Sequence, residues 1–106
     1  MREGERRPRR TNAARLPGPE GLVVERHADG TFSWSPASPS LAEVLERASA
    51  RLSECEDALE LCDHWLSHGS QSPDDRDRIL ESRFVYAQER ALLEELVAWA
   101  REEGPP

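Results

Sequence analysis

One stretch of the chain could bind a metal, because His64 and His68 lie four residues apart and follow Cys62 and Asp63. Two histidines at this spacing share one side of a helix and can both reach a zinc ion. No third ligand follows at a recognisable spacing, and Cys62 falls on a different side of the helix. His68 also has a simpler role, since a positive charge near a helix C-terminus is favourable. We therefore predict that the chain holds no metal and no cofactor.

The two cysteines, Cys55 and Cys62, could form a redox pair, but they lie seven residues apart. On one helix they are about 10 Å apart along the axis, which is too far for a disulfide bond between them. Thiols at this spacing are typical of a packed helix face. If that helix pairs with a second copy across a two-fold axis, one thiol could meet its symmetry mate. Without a secretory signal, the chain is expected in the reducing cytoplasm.

A dense run of carboxylates could in principle support acid–base catalysis. The run consists of Glu54, Glu56, Asp57, Glu60 and Asp63. Such catalysis needs surroundings that shift a carboxyl pKa, and these residues mostly face solvent on a helix. The chain also has no phosphate-binding glycine loop, no Ser/His/Asp spacing and no CxxC pair. We predict that it is not an enzyme.

Aromatic residues leave another possibility, a flat ligand bound near Trp65, Tyr86 and Trp99. Trp65 and Trp99 fall at opposite ends of an antiparallel hairpin, so they can meet only across two subunits. A small-ligand sensor with an interhelical aromatic site is therefore an alternative hypothesis.

The helix that carries most of these residues is defined by a heptad pattern. One row is Leu45, Leu52, Leu59 and Leu66, and the other is Leu41, Ala48, Cys55 and Cys62. The spacing predicts an amphipathic helix over 40–67 whose seam another helix must cover. Ser40 and Glu43 form a capping box, and Gly69 is a suitable residue to end the helix.

A second helix is predicted over 73–102, since Ser72 is a favourable N-cap and Pro73 suits the first turn. The short link makes the two helices antiparallel neighbours. The apolar residues of the second helix form a broad stripe and a narrow one. The narrow stripe is Leu80, Phe84, Ala87, Ala91 and Ala98. A two-helix hairpin covers one stripe, so the other must meet the β-hairpin or another subunit.

The first 35 residues differ in character from the helices. Residues 1–21 are rich in arginine, contain Pro17-Gly18-Pro19, and predict a disordered arm. Residues 22–35 predict a β-hairpin that turns at Asp29-Gly30, with Trp34 as a packing residue. The predicted fold class is mainly α, an antiparallel coiled-coil-like helical hairpin over 40–103 with a short N-terminal β-hairpin and a disordered basic arm.

The arm raises the possibility of nucleic-acid binding. Residues 1–15 hold six arginines against Glu3 and Glu5, a balance of +4, and since the whole chain carries −7 the remainder carries −11. The arginines that could contact phosphate are Arg6, Arg7, Arg9, Arg10 and Arg15. The acidic remainder repels phosphate, so this function is an alternative.

All 14 basic residues are arginine, which indicates a GC-rich bacterial genome. No membrane partner is expected, because no apolar run approaches the length of a membrane span.

Part of the chain resembles PadR-type winged-helix transcription regulators. The resemblance rests on Gly21-Leu22-Val23, Asp29-Gly30, Phe32-Ser33-Trp34 and Pro36 before a long helix, and on the segment from Arg83 to Trp99. It implies a wing followed by the C-terminal helices through which that family dimerises. The family's DNA-binding helix-turn-helix precedes the wing, and residues 1–20 cannot form it. The resemblance therefore implies a protein that dimerises without reading bases itself.

The function that we favour is a non-enzymatic dimerisation or protein-interaction module associated with transcription regulation. Its expected partner is a second copy or a helical protein. The predicted interface consists of Leu45, Leu52, Leu59, Leu66, Phe84, Leu92, Leu96 and Trp99. Each of these residues adds apolar area to a helix face that must be covered.

Overall fold

The computed structural model describes residues 12–18 and 21–103. Three strands precede two long helices: β1 (Ala13–Arg15), β2 (Val23–Arg26), β3 (Phe32–Ser35), α1 (Leu41–His68) and α2 (Pro73–Glu103). The helices pack against each other as an antiparallel hairpin, and the strands form a small antiparallel sheet. The predicted fold class is confirmed, and the helices end within one residue of the predicted positions.

Strand β1 corrects the prediction that residues 1–21 form a disordered arm. Ala14 pairs with Val24 of β2, so β1 extends the predicted hairpin to three strands. Ala14 and Leu16 are buried while their neighbours are exposed, the alternation of a strand with one face on a core. A third strand adds the support that a two-stranded hairpin lacks. The rest of the predicted arm, residues 1–11 and 19–20, lies outside the described residues.

The turn between β2 and β3 forms at the predicted residues. Gly30 has a φ of +89°, a conformation that side-chain-bearing residues rarely adopt. The Asp29 carboxylate accepts hydrogen bonds from the Thr31 hydroxyl at 2.7 Å and from the Thr31 N–H at 3.0 Å. These bonds hold the pKa of Asp29 below its usual value. The turn is thus fixed by its own residues.

The start of α1 is tied to the sheet. The Ser40 hydroxyl accepts a hydrogen bond from the Glu43 N–H at 3.2 Å, and the Glu43 carboxylate accepts one from the Ser40 N–H at 3.4 Å. This is the predicted capping box. The Trp34 indole donates to the Pro39 carbonyl at 3.0 Å, so the connector is held against β3.

The link between the helices is closed by hydrogen bonds to one carbonyl. The Gly69 N–H and the Gln71 side-chain amide both donate to the Trp65 carbonyl, at 2.9 and 2.6 Å. Gly69 has a φ of −89°, so it does not adopt the left-handed conformation usual for a glycine that ends a helix. Ser72 then caps α2 by accepting from the Asp75 N–H at 3.2 Å.

The core lies where the sheet meets the first half of α1 and the last third of α2. Its buried members are Ala14, Leu16, Leu22, Val24, Phe32, Val44, Ala48, Cys55, Leu92, Leu93 and Leu96. Arg26 joins the sheet to α2 by an ion pair with Glu95 at 2.6 Å, and Phe32 packs on Trp99 with ring centroids 5.5 Å apart. We call this end of the hairpin, away from the link at 69–72, the loop-distal half. Neither helix is long and apolar enough to cross a membrane within the described part of the chain.

Candidate interaction surface

The residues of α1 that are buried do not form the predicted leucine row. Of that row, Leu59 is buried, whereas Leu45, Leu52 and Leu66 are half-buried. The buried residues of α1 are Val44, Ala48, Cys55 and Leu59. Ala48 and Cys55 belong to the other predicted heptad row and are both fully buried, so that row faces the core more directly than the leucine row does. The leucine row is only partly covered.

Most of the interface residues predicted on α2 belong to the loop-distal core of the chain itself. Leu92 and Leu96 are buried there, and Trp99 is half-buried against Phe32. Their apolar surface is therefore covered within one chain by the sheet and by α1. Phe84 differs, because 44% of its surface is exposed.

The loop-proximal part of the hairpin has no core of its own. No residue from 60 to 91 is buried, although this range contains about eight turns of helix by length. Five of its large hydrophobic residues are exposed by 43% to 56% of their surface; they are Leu61, Trp65, Leu80, Phe84 and Val85. We call these five residues the loop-proximal apolar surface. These side chains lie on both helices, and the chain leaves about half of each one's surface exposed.

A charged cluster lies between the core and this surface. Arg51 donates two hydrogen bonds to the Glu89 carboxylate, at 2.6 and 2.9 Å, and one to Glu54 at 2.9 Å. Its guanidinium also lies 5.9 Å from the centre of the Tyr86 ring. The hydrogen bonds that Arg51 donates to Glu89, and then to Glu54, raise the pKa of Arg51. The two-pronged bond fixes how α1 and α2 align.

A second ion pair joins the helices nearer the link. Arg83 Nε lies 2.6 Å from an Asp63 carboxylate oxygen, and both side chains are exposed. The hydrogen bond from Arg83 holds the pKa of Asp63 below its usual value. This contact aligns the helices without burying apolar area, so it does not replace the missing core.

The residues considered for metal or thiol chemistry do not assemble into a site. His64 and His68 stack with ring centroids 4.5 Å apart, and His68 Nδ1 lies 3.1 Å from the His64 carbonyl oxygen. No group of three metal-binding side chains occurs among residues 12–18 and 21–103. Cys55 and Cys62 are free thiols, the first buried and the second half-buried. Burial raises the pKa of Cys55 to about 11, so this thiol is protonated at neutral pH.

The three aromatic residues of the ligand hypothesis lie apart within one chain. Trp65 is exposed near the link, whereas Trp99 packs on the sheet in the loop-distal half. Tyr86 lines an open groove of about 400 Å³ with Arg51 and Glu89, whose charges already pair with each other. The groove therefore offers no unpaired charge from that pair to a ligand.

Of the five arginines predicted to contact nucleic acid, the structure describes one. Arg15 is exposed at the end of β1. Arg6, Arg7, Arg9 and Arg10 lie outside the described residues. Nucleic-acid binding by this arm stays a prediction.

The Arg51–Glu89 pair is absent from our sequence predictions, although the sequence contains a signal for it. The two residues lie at nearly equal distances from the link at 69–72, so an antiparallel hairpin brings them to the same level.

Comparisons of the chain with family models, with curated proteins and with solved structures find no match.

Proposed function

We propose that the chain is a non-enzymatic dimerisation module in which a second copy covers the loop-proximal apolar surface. The observation that carries this proposal is the unequal cover of the hairpin. The sheet packs on the loop-distal half, and none of the described residues between 60 and 91 is buried. A second copy would remove exposed apolar area from water, which is the main driving force of association.

A small size adds to this argument. A domain of this length buries a modest fraction of its surface, so its own core provides limited stability. The core cluster also lies at one end of a long hairpin, so the other end gains little stability from it. Association through the other end would stabilise the half that the sheet does not reach, and a two-fold dimer is the commonest such assembly.

The biological context that we propose is regulatory and associated with transcription. The resemblance to PadR-type regulators supports it, because dimerisation through C-terminal helices is what that resemblance implies. A helical protein of another sequence is the alternative partner for the same surface, and the experiment below separates the two.

The proposal is tested by light scattering coupled to size-exclusion chromatography at tens to hundreds of micromolar chain. The wild-type chain is expected to elute as a dimer. Two double variants, Leu80→Glu with Phe84→Glu on α2 and Leu61→Glu with Trp65→Glu on α1, place charges on the surface. At least one of them is expected to shift the mass to that of a monomer, because a buried unpaired charge is costly.

The matched control is Ala50→Glu, which adds the same charge at an exposed residue of α1 in the loop-distal half. It should leave the dimer intact. Circular dichroism should show that all variants keep their helix content, since none of the substituted residues is buried. A wild-type chain that stays monomeric at hundreds of micromolar would overturn the proposal, and a monomer that binds a helical protein would favour the alternative partner.

A further inference from the structure

The outer edge of α2 carries an apolar stripe whose residues are exposed, except for the half-buried Ala87, in the part of the chain that the structure describes. Tyr86 faces Arg51 of α1, so the opposite side of α2 points away from the hairpin. On that side, Leu80 and Phe84 are 43% and 44% exposed, and Ala91 and Ala98 are exposed as well. We call Leu80, Phe84, Ala87, Ala91 and Ala98 the outer stripe.

The outer stripe has the spacing of a second heptad seam. With Asp77 and Glu94 included, the residues from 77 to 98 alternate in steps of three and four, which places Asp77, Phe84, Ala91 and Ala98 at a positions and Leu80, Ala87 and Glu94 at d positions. The same heptad fixes the flanking positions. The g positions are Arg76, Arg83 and Arg90, and the e positions are Glu81, Gln88 and Glu95.

These flanks have opposite charges, which determines the kind of helix that can pair with them. In a parallel pair in register, each g residue meets the e residue five positions later on the other helix. Arg76 would meet Glu81 of the second copy, and Arg90 would meet its Glu95. In an antiparallel pair, by contrast, g residues meet g residues, so arginines would face arginines and lose energy by repulsion.

We infer that a second copy of this chain packs its own α2 in parallel and in register along the outer stripe. This inference rests on the proposed dimerisation and adds the interface and the orientation. Glu95 and Arg83 already pair with Arg26 and Asp63. Their side chains remain 43% and 42% exposed in the single chain.

Three charged residues make the seam weaker than it could be: Asp77 at an a position, and Glu94 and Arg101 at d positions. Glu94 occupies a d position and is exposed in the single chain, so two carboxylates would face each other across the two-fold axis. Like charges directly opposite repel each other, which limits the apolar seam to the part from Leu80 to Ala91 and predicts a reversible dimer.

The orientation is tested by exchanging one charge pair at exposed residues. Arg76→Glu and Glu81→Arg are prepared as separate variants, neither of which changes a buried residue. Each alone places two like-charge pairs in its homodimer and should dimerise roughly tenfold more weakly. An equimolar mixture restores both opposite-charge pairs, so the heterodimer should regain the wild-type dissociation constant. The dissociation constants are measured by sedimentation equilibrium.

Two further variants test the seam itself. Glu94→Leu should tighten the dimer by at least about tenfold, because it removes the facing carboxylates and adds buried apolar area. Ala87→Cys and Ala91→Cys, each combined with Cys62→Ser, should both form disulfide-linked dimers on mild oxidation, since d and a residues face their own copies in a parallel pair. Ala50→Cys, at an exposed residue of α1, is the control that should not.

The outcomes separate this inference from the proposed function. In one outcome, the dissociation constant stays unchanged in the charge-exchange variants and in Glu94→Leu, while the Leu61→Glu and Trp65→Glu double variant dissociates the dimer. That result would support the dimerisation module and overturn the outer-stripe interface. Cross-linking at no more than one of the two cysteine positions, or a mixture no tighter than its components, overturns the parallel orientation. A monomeric wild-type chain overturns both.

Discussion

At the scale of single residues, Arg51 and Glu89 join the two helices by the best-defined polar contact of the hairpin. Glu89 is 14% exposed and Arg51 28%, so their two-pronged bond is partly shielded from water. A substitution that removes the charge of one residue leaves the other charge partly buried without its main ion-pair partner. The loss should exceed that of a surface ion pair.

We predict that Glu89→Gln lowers the free energy of unfolding by about 1 to 3 kcal/mol in urea denaturation. The comparison is Asp63→Asn, which weakens the exposed ion pair with Arg83 and should change stability little. Equal effects of the two substitutions would show that the partly buried pair has no special role.

The thiols give a second prediction at this scale. Burial raises the pKa of Cys55 to about 11, so its reactive thiolate is scarce near pH 8. A disulfide exchange reagent should therefore modify Cys62 first, and Cys55 only when urea unfolds the chain. The variants Cys55→Ser and Cys62→Ser assign the two phases. Two equal rates in the folded chain would contradict the burial of Cys55.

The same thiol predicts how stability changes at high pH. The folded chain holds the Cys55 proton more tightly than the unfolded chain, whose thiol has a pKa near 9.0. The contribution to stability is therefore complete below pH 9 and is lost as the pH rises through about 11. Cys55→Ser should remove this part of the loss, which urea denaturation at a series of pH values would show.

At the scale of elements, the helices could be predicted closely because their caps and periodicity are local. Ser40 with Glu43 and Ser72 with Pro73 mark the helix starts, and the structure places both there. Strand β1 was missed because three residues carry too little periodicity to outweigh an arginine-rich composition. The alternation of buried Ala14 and Leu16 with exposed neighbours indicates a strand only when β2 is known to pair with it.

The face of α1 that would be buried was harder to predict than the helix itself. The heptad rows describe spacing along one helix, whereas burial depends on where α2 and the sheet both lie. Val44 and Ala48 are fully buried and belong to the core cluster that also contains residues of the sheet and of α2. Of the leucine row, only Leu59 is buried.

The complete burial of Ala48 leads to a prediction about packing. Ala48 has no exposed surface, so there is no free space for a larger side chain. Ala48→Leu should lower the free energy of unfolding by about 1 to 3 kcal/mol through overpacking. Ala50→Leu, which makes the same change at an exposed residue of this helix, should have little effect. A tolerated leucine at position 48 would contradict the tight packing of α1 there.

At the scale of the whole molecule, the sheet and the hairpin differ in length. The sheet is three strands of three or four residues, whereas the helices have 28 and 31 residues, so the sheet covers one end of them. The sequence indicated that α2 has more apolar surface than one neighbour can cover, and Leu80 and Phe84 are indeed exposed. It did not indicate that Leu92, Leu96 and Trp99 would be used internally, because that depends on where the sheet packs.

Sedimentation equilibrium of the wild-type chain over a wide range of concentrations tests the dimer most directly. We predict an apparent mass that rises reversibly from 12.0 kDa towards twice that value as the chain is concentrated. The Leu80→Glu and Phe84→Glu double variant should stay at the lower mass throughout. A wild-type mass of 12.0 kDa at every concentration, with the hairpin folded, would show that the exposed residues of α2 need no second copy.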